Sequence, residues 1–171
     1  MIESAAMHYH IEHDFDIDPK GYWEIFFSDE YNVDLYAQLK MKDRQVIELK
    51  DDGNVMVRAQ RLTPTTNLPA IFQKVISDQT YVERNRFDRA RSQMEVVIEP
   101  AMLKNKFDMR AIYAVTPLDG GRCRRSFDGD VKVSIMLLGG QIEKYMVEQL
   151  KTSYEVATRV TRDWIAKKKK A

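Results

Sequence analysis

Hydrophobic and polar positions alternate from Met7 to Asp16. Tyr9, Ile11, His13 and Phe15 fall on one face, and His8, His10, Glu12, Asp14 and Asp16 on the other. A period of two with one apolar face predicts a half-buried strand. Asp18 then suits a helix N-cap and Pro19 the first helical position, ahead of a short apolar helix carrying Tyr22, Trp23, Ile25, Phe26 and Phe27. A second short helix is predicted over Glu30 to Leu39. From Arg44 the period of two returns, with Gln45, Ile47 and Leu49 on one face. Asp51-Asp52-Gly53-Asn54 signals a hairpin, after which Val55, Val57 and Ala59 continue the inward face. Leu62 to Pro69 breaks the pattern with two prolines, and Ala70 to Ile76 has room for one or two helical turns. Four more strands are predicted: Tyr81 to Asp88, Gln93 to Glu99, Phe107 to Thr116 and Arg122 to Ile135. Asp119-Gly120-Gly121 turns the last pair.

The stretch from Asp128 to Lys170 organises the rest. It reads as a strand, a Gly139-Gly140 hinge and one long amphipathic helix. Ile142, Tyr145, Met146, Leu150, Ser153, Ala157, Val160 and Trp164 recur at i, i+3 and i+4, the mark of one buried stripe. Glu143, Lys144, Glu148, Lys151, Glu155, Arg159 and Arg162 occupy the opposite face, with Glu148–Lys151 and Glu155–Arg159 at attractive spacings. From Gln141 to Lys167 such a helix is roughly 40 Å long and must cross the whole domain. Strand, two short helices, six strands and a long helix, with no repeat or linker, predict one α+β domain over residues 1–171.

Composition narrows the function. With 44% hydrophobic residues, a chain of 171 can bury a sizeable core. Its 27 basic and 26 acidic side chains leave a formal net charge of +1, so no global field points to nucleic acid. Cys123 is the single cysteine, which excludes an internal disulfide and fits a reducing compartment. MIESAAMHYH holds no apolar leader core, and no apolar run approaches a membrane span, so a cytoplasmic protein is expected.

The run Phe127-Asp128-Gly129-Asp130-Val131-Lys132-Val133-Ser134, then Leu138-Gly139-Gly140-Gln141-Ile142-Glu143, resembles the helix-grip proteins of the SRPBCC superfamily. That superfamily includes START lipid-transfer domains and birch-pollen-allergen-like proteins. The likeness is strongest to a bacterial START-like family of unknown function, and His13 to Tyr31 resembles the superfamily's opening strand and helix. The resemblance implies a curved antiparallel sheet of about seven strands wrapped around the long C-terminal helix, with two short helices after the first strand. It also implies an apolar cavity between sheet and helix that takes a hydrophobic small molecule. The implied lining is Tyr9, Ile11, His13, Ile47, Leu49, Val57, Tyr81, Glu83, Asn85, Phe87, Met94, Val96, Ile98, Phe107, Met109, Tyr113, Arg125 and Phe127 from the strands. The helix would add Ile142, Tyr145, Met146 and Leu150. The alternative is that these side chains fill a dry core.

Polar candidates are few. Strand parity places Glu83 and Asn85 on the face of Tyr81 and Phe87, and Arg125 on that of Cys123 and Phe127. A Glu83–Arg125 pair could grip a ligand's polar head, or be a structural ion pair at the rim. His8 and His10 share a face, but nothing completes a metal site. Cys123 has no histidine near it in sequence, and the chain lacks a Gly-rich phosphate loop, a nucleophile elbow and an HExxH arrangement. No catalytic constellation and no cofactor follow. Trp164-Ile165 before Lys167 to Lys170 reads either as an anchor for transient contact with an anionic membrane or as a helix end whose cations suit the macrodipole. Leu62 to Phe72 is either a gate over the cavity or a packed loop. The expected function is binding or transport of a hydrophobic or amphipathic, lipid-like molecule. Its rivals are a cyclase- or hydratase-type enzyme using Glu83, Asn85, Tyr113 or His13, and a ligand-free regulatory protein.

Overall fold

A computed structural model describes residues 5–65 and 67–171. Residues 1–4, part of the segment read as lacking a leader core, and Thr66, inside the Leu62–Pro69 break, lie outside the described residues. The elements run β1 (Met7–Phe15), α1 (Pro19–Phe26), α2 (Asp29–Gln38), β2 (Met41–Asp51), β3 (Val55–Pro64), α3 (Ala70–Gln73), β4 (Tyr81–Asp88), β5 (Gln93–Pro100), β6 (Phe107–Leu118), β7 (Arg122–Val133) and α4 (Gly139–Lys170). The strands form one curved antiparallel sheet in the order β1-β7-β6-β5-β4-β3-β2.

Local chemistry sets the boundaries. Asp18 caps α1 by accepting the Gly21 N–H at 2.8 Å, and Pro19 occupies the first turn, where no backbone donor is needed. Ser28 caps α2, accepting from Tyr31 N. Asp52 holds the β2–β3 hairpin by accepting from the backbones of Asn54 and Val55.

α4 spans 32 residues, about 48 Å at 1.5 Å each, and packs on β7, β1, α1 and α2. Gly139 is its first residue rather than a hinge before it. A Cβ there would lie 2.1 Å from the Val133 carbonyl oxygen, so only glycine lets the helix start so close to the strand. Glu143 departs from its expected place on the charged face. It is buried, and its Oε1 accepts the Val133 N–H at 2.7 Å. β1 begins opposite Val131, so Val133 extends past its neighbour and Glu143 supplies the missing acceptor.

Inward faces on β1, β4, β5, β6 and β7 fall as the alternation predicts, but β2 and β3 do not. Met56, Arg58, Gln60 and Leu62 point inward on β3, opposite Phe87, Asn85, Glu83 and Tyr81 of β4. Val57 therefore faces outward. Ala59 is buried on that outer face between its cross-strand partners Glu48 and Arg84, which pair above it. On β2 the register slips between Val46 and Glu48, leaving Ile47 as the extra, 40% exposed bulge residue. Leu49 shares the inward face with Arg58, but at the end of this edge strand it stays 61% exposed.

Candidate functional site

A cavity of about 380 Å³ lies where α4 leans toward β1 and β7 and leaves β4, β5 and β6 uncovered. Its volume falls in the range of small-molecule pockets, roughly 300–1,000 Å³. Strand residues Tyr81, Glu83, Met94, Val96, Ile98, Phe107, Met109, Tyr113, Arg125 and Phe127 line one side, and Ile142, Tyr145, Met146 and Leu150 of α4 the other. α2 contributes Tyr31, Leu35 and Tyr36 and its C-cap Leu39, and α4 adds Gln149, Ser153, Tyr154 and Ala157. Sequence reasoning listed none of these eight as site residues, although Ser153 and Ala157 lie on the predicted buried stripe.

The other implied positions lie elsewhere. Tyr9 and Ile11 are buried in the core beside the cavity, with the Tyr9 ring 5.6 Å from that of Phe127. Phe87 lies under Trp23 and Phe27, with ring centroids at 4.4 and 5.0 Å. His13 and Asn85 stand behind the wall as partners of lining residues. Val57, Ile47 and Leu49 do not reach the cavity, because β3 presents its other face and β2 is bulged and lies at the sheet edge.

Two polar lines border the apolar space. In the first, Oε1 of Glu83 accepts from Gln60 Nε2 at 3.1 Å and Asn85 Nδ2 at 3.0 Å. Arg58 donates from Nε and Nη2 to Asn85 Oδ1, and Arg44 donates to Gln60 Oε1 at 2.9 Å. Two guanidiniums thus bracket one carboxylate through two amides, and Gln60 also donates to the Tyr36 hydroxyl at 2.8 Å. In the second, Arg125 Nη2 donates to His13 Nδ1 at 2.9 Å and to Thr158 Oγ1 at 2.6 Å. Arginine only donates, so His13 carries its proton on Nε2 and gives it to Glu155 Oε1 at 3.1 Å. Glu83 and Arg125 do not pair with each other: each is held by its own line.

Tyrosines complete the polar inventory. The Tyr113 and Tyr22 hydroxyls hydrogen-bond each other, and Tyr31 bonds Thr161 at 2.8 Å. Burial raises the pKa of Tyr81, Tyr113 and Tyr154 well above the usual value, and that of Tyr36 to about 12. All four are therefore neutral at physiological pH. Cys123 is fully buried, and its thiol is pushed up to about 12 by desolvation, which removes nucleophilic character. His8 and His10 engage the Asp130 and Asp128 carboxylates at 3.1 and 2.7 Å.

At the rim, Leu68 and Phe72 of the α3 segment lie over the cavity, and Phe72 packs edge-on against Tyr145. Met102 and Leu103 from the β5–β6 loop face them, and Ser134 N donates to Lys106 O to tie that loop to the segment just after β7. At the far end of α4 the Trp164 indole donates to Asp34 at 2.8 Å. Lys167 lies over that indole ring, Lys168 bonds Glu24 and Lys169 bonds Asp16.

Comparison with known proteins agrees with this architecture. A START superfamily protein from Mycobacterium smegmatis superposes with a TM-score of 0.57 at 14% identity, covering 95% of this chain and 99% of that one. The ZhuI aromatase/cyclase from Streptomyces sp. R1128 gives 0.61 at 14% identity over 92% and 93% of the two chains. Norcoclaurine synthase from Thalictrum flavum, in complex with dopamine and hydroxybenzaldehyde, gives 0.66 at 13% identity over 97% and 90%. At such identities the likeness establishes the START-like helix-grip fold and no chemistry. A search of curated proteins by sequence finds no match. Among the described residues no helix is long and apolar enough to cross a membrane. The family profile described as "Protein of unknown function (DUF2505)" matches residues 10–165, and the chain belongs to that family.

Proposed function

We propose that the protein binds a hydrophobic or amphipathic small molecule, lipid-like in character, between its sheet and α4. The observation that carries this reading is the cavity of about 380 Å³ with its largely apolar lining. Burial of a guest's apolar surface, at about 25 cal/mol per Å², supplies most of the affinity. The proposed setting is the cytoplasm, with transient contact between an anionic membrane and the Lys167–Lys170 end loading and unloading the guest. Native mass spectrometry before and after organic extraction tests the carrier. A mass adduct that extraction removes is expected, and its absence from protein isolated under several growth conditions overturns the reading. Liposome sedimentation unchanged on deleting residues 167–171 overturns the tail's part in loading.

The rival reading, an enzyme of cyclase or hydratase type, draws support from the fold shared with an aromatase/cyclase and a synthase. The acid–base groups named for it are mostly engaged. Both ring nitrogens of His13 are bonded, Asn85 donates and accepts within its line, and the Tyr113 hydroxyl is bonded to Tyr22. Among the groups named for it, Glu83 is the one carboxylate, and it lines the cavity. Glu83→Gln that abolishes a turnover while sparing guest binding would favour the enzyme.

A further inference from the structure

Arg58 and Arg125 are both buried guanidiniums, 5% and 1% exposed. A buried cation is costly unless a counter-charge or a full set of acceptors meets it. Arg58 has such compensation, since its line ends on the Glu83 carboxylate through Asn85. Arg125 does not. Its Nη2 donates to His13 and Thr158, the Tyr22 hydroxyl also hydrogen-bonds the guanidinium, and its face rests on the rings of Phe15 and Tyr154 at 5.0 and 4.9 Å, none of them a carboxylate. The one acid in its line, Glu155, stands a whole imidazole away with its side chain 74% exposed, where water screens the attraction. The Nε–H of Arg125 is buried and meets no acceptor among the described residues. Arg125 also forms part of the cavity wall.

We infer that Arg125 is the head-group site of the cavity and that the guest is an elongated amphipathic acid whose carboxylate meets the guanidinium's charge. The inference rests on the carrier reading above and specifies its ligand class. A carboxylate at that wall adds to a hydrogen bond the counter-charge that the protein leaves out. A neutral ester or alcohol offers only the bond.

The shape of the site agrees. Arg125 and Val133 both line the cavity on β7, eight residues apart, or about 26 Å of strand at 3.3 Å per residue. Beyond Arg125 the walls are mostly apolar, from Phe127 and Met109 to Ile142 and Met146, with Glu83 held in its own polar line and Asp78 at the rim beside Met102. An anionic head at Arg125 therefore directs an apolar tail toward the Met102–Leu103 rim.

The test is fluorescence titration of the full-length, delipidated protein with 11-(dansylamino)undecanoic acid and with its methyl ester, in detergent-free buffer. The acid is expected to bind the wild type at least tenfold more tightly than the ester, which corresponds to about 1.4 kcal/mol. Arg125→Met should bring the acid to the ester's affinity and leave the ester within twofold, while Arg125→Lys keeps part of the preference. Equal affinity of the wild type for acid and ester overturns the head-group site and leaves the carrier reading standing. So does an undiminished preference in a folded Arg125→Met protein. If neither probe binds the wild type, the carrier reading fails and this inference with it. Where Arg125→Met does not fold, the acid-to-ester ratio of the wild type decides alone.

Discussion

Replacing Ala157 by leucine separates an open cavity from a packed interior by the sign of a stability change. Ala157 sits on α4, partly buried, and lines the space of about 380 Å³. Leucine adds three carbons to a helix position without a propensity penalty of consequence. If they enter open apolar space, each contributes about 0.8 kcal/mol, for a gain of about 2 kcal/mol. For a chain of 171 residues that raises the midpoint of thermal unfolding by roughly 4–8 °C. If the interior is already filled, the same atoms force rotamers and backbone apart and cost about 1–3 kcal/mol. Urea denaturation of both proteins, freed of co-purified guest, reads the difference, with an unchanged m-value showing that the unfolding transition is the same. The leucine should also weaken binding of an alkyl probe, because it occupies the guest's volume. A folded Ala157→Leu protein that unfolds at lower urea than the wild type refutes the open cavity.

Gly139→Ala places a Cβ against the Val133 carbonyl and should cost about 2 kcal/mol or more in urea denaturation, whereas Gly140→Ala, with open space around it, should be neutral or stabilising by up to about 1 kcal/mol. Equal effects at the two positions would show that α4 does not start against β7. The His10 pKa is raised above 6.5 by the hydrogen bond to Asp128 and then by that to Glu12, so its contribution is full below the ordinary value and lost as pH rises through the raised one. His10→Gln should therefore lower the urea midpoint at about pH 5.5, with the gap closing by about pH 8.5; a gap that widens with pH contradicts the sign. Leu137 holds φ +66° while 89% exposed, so Leu137→Asn relieves left-handed strain without losing burial and should raise stability by about 1 kcal/mol on the same assay.

The parts legible in sequence were those where one side-chain pattern met one buried face. β4 and β5 read correctly because Tyr81, Phe87, Met94, Val96 and Ile98 alternate cleanly, and the caps Asp18 and Pro19 act locally. β3 misled because both of its faces carry apolar residues: Val55, Val57 and Ala59 compete with Met56 and Leu62. The true inner face includes Arg58 and Gln60, whose burial depends on Asn85 and Glu83 of a strand more than twenty residues away. A periodicity argument cannot see that partner. The bulge at Ile47 is likewise a property of pairing and not of the run itself. On α4, Tyr154 falls between stripe positions, and it lines the cavity because the helix there faces both the sheet and α2.

Glu143 and Arg125 make the same point from opposite directions. Each is a charged side chain buried at the edge of the space between sheet and helix. Glu143 is consumed by structure, because β1 begins only opposite Val131 and leaves the Val133 N–H without a partner on that strand. Its charge is met by a backbone donor at the point where α4 begins, which fixes how the helix leaves the sheet. Arg125 sits where the sheet is complete, so no backbone group calls for it, and its side chain forms part of the cavity wall. Arg125 ties His13 on β1 to Thr158 on α4 but finds no counter-charge there, and a charge that the fold does not neutralise is expensive to keep. The chemistry that gives such a residue a use is an anion arriving from outside the chain.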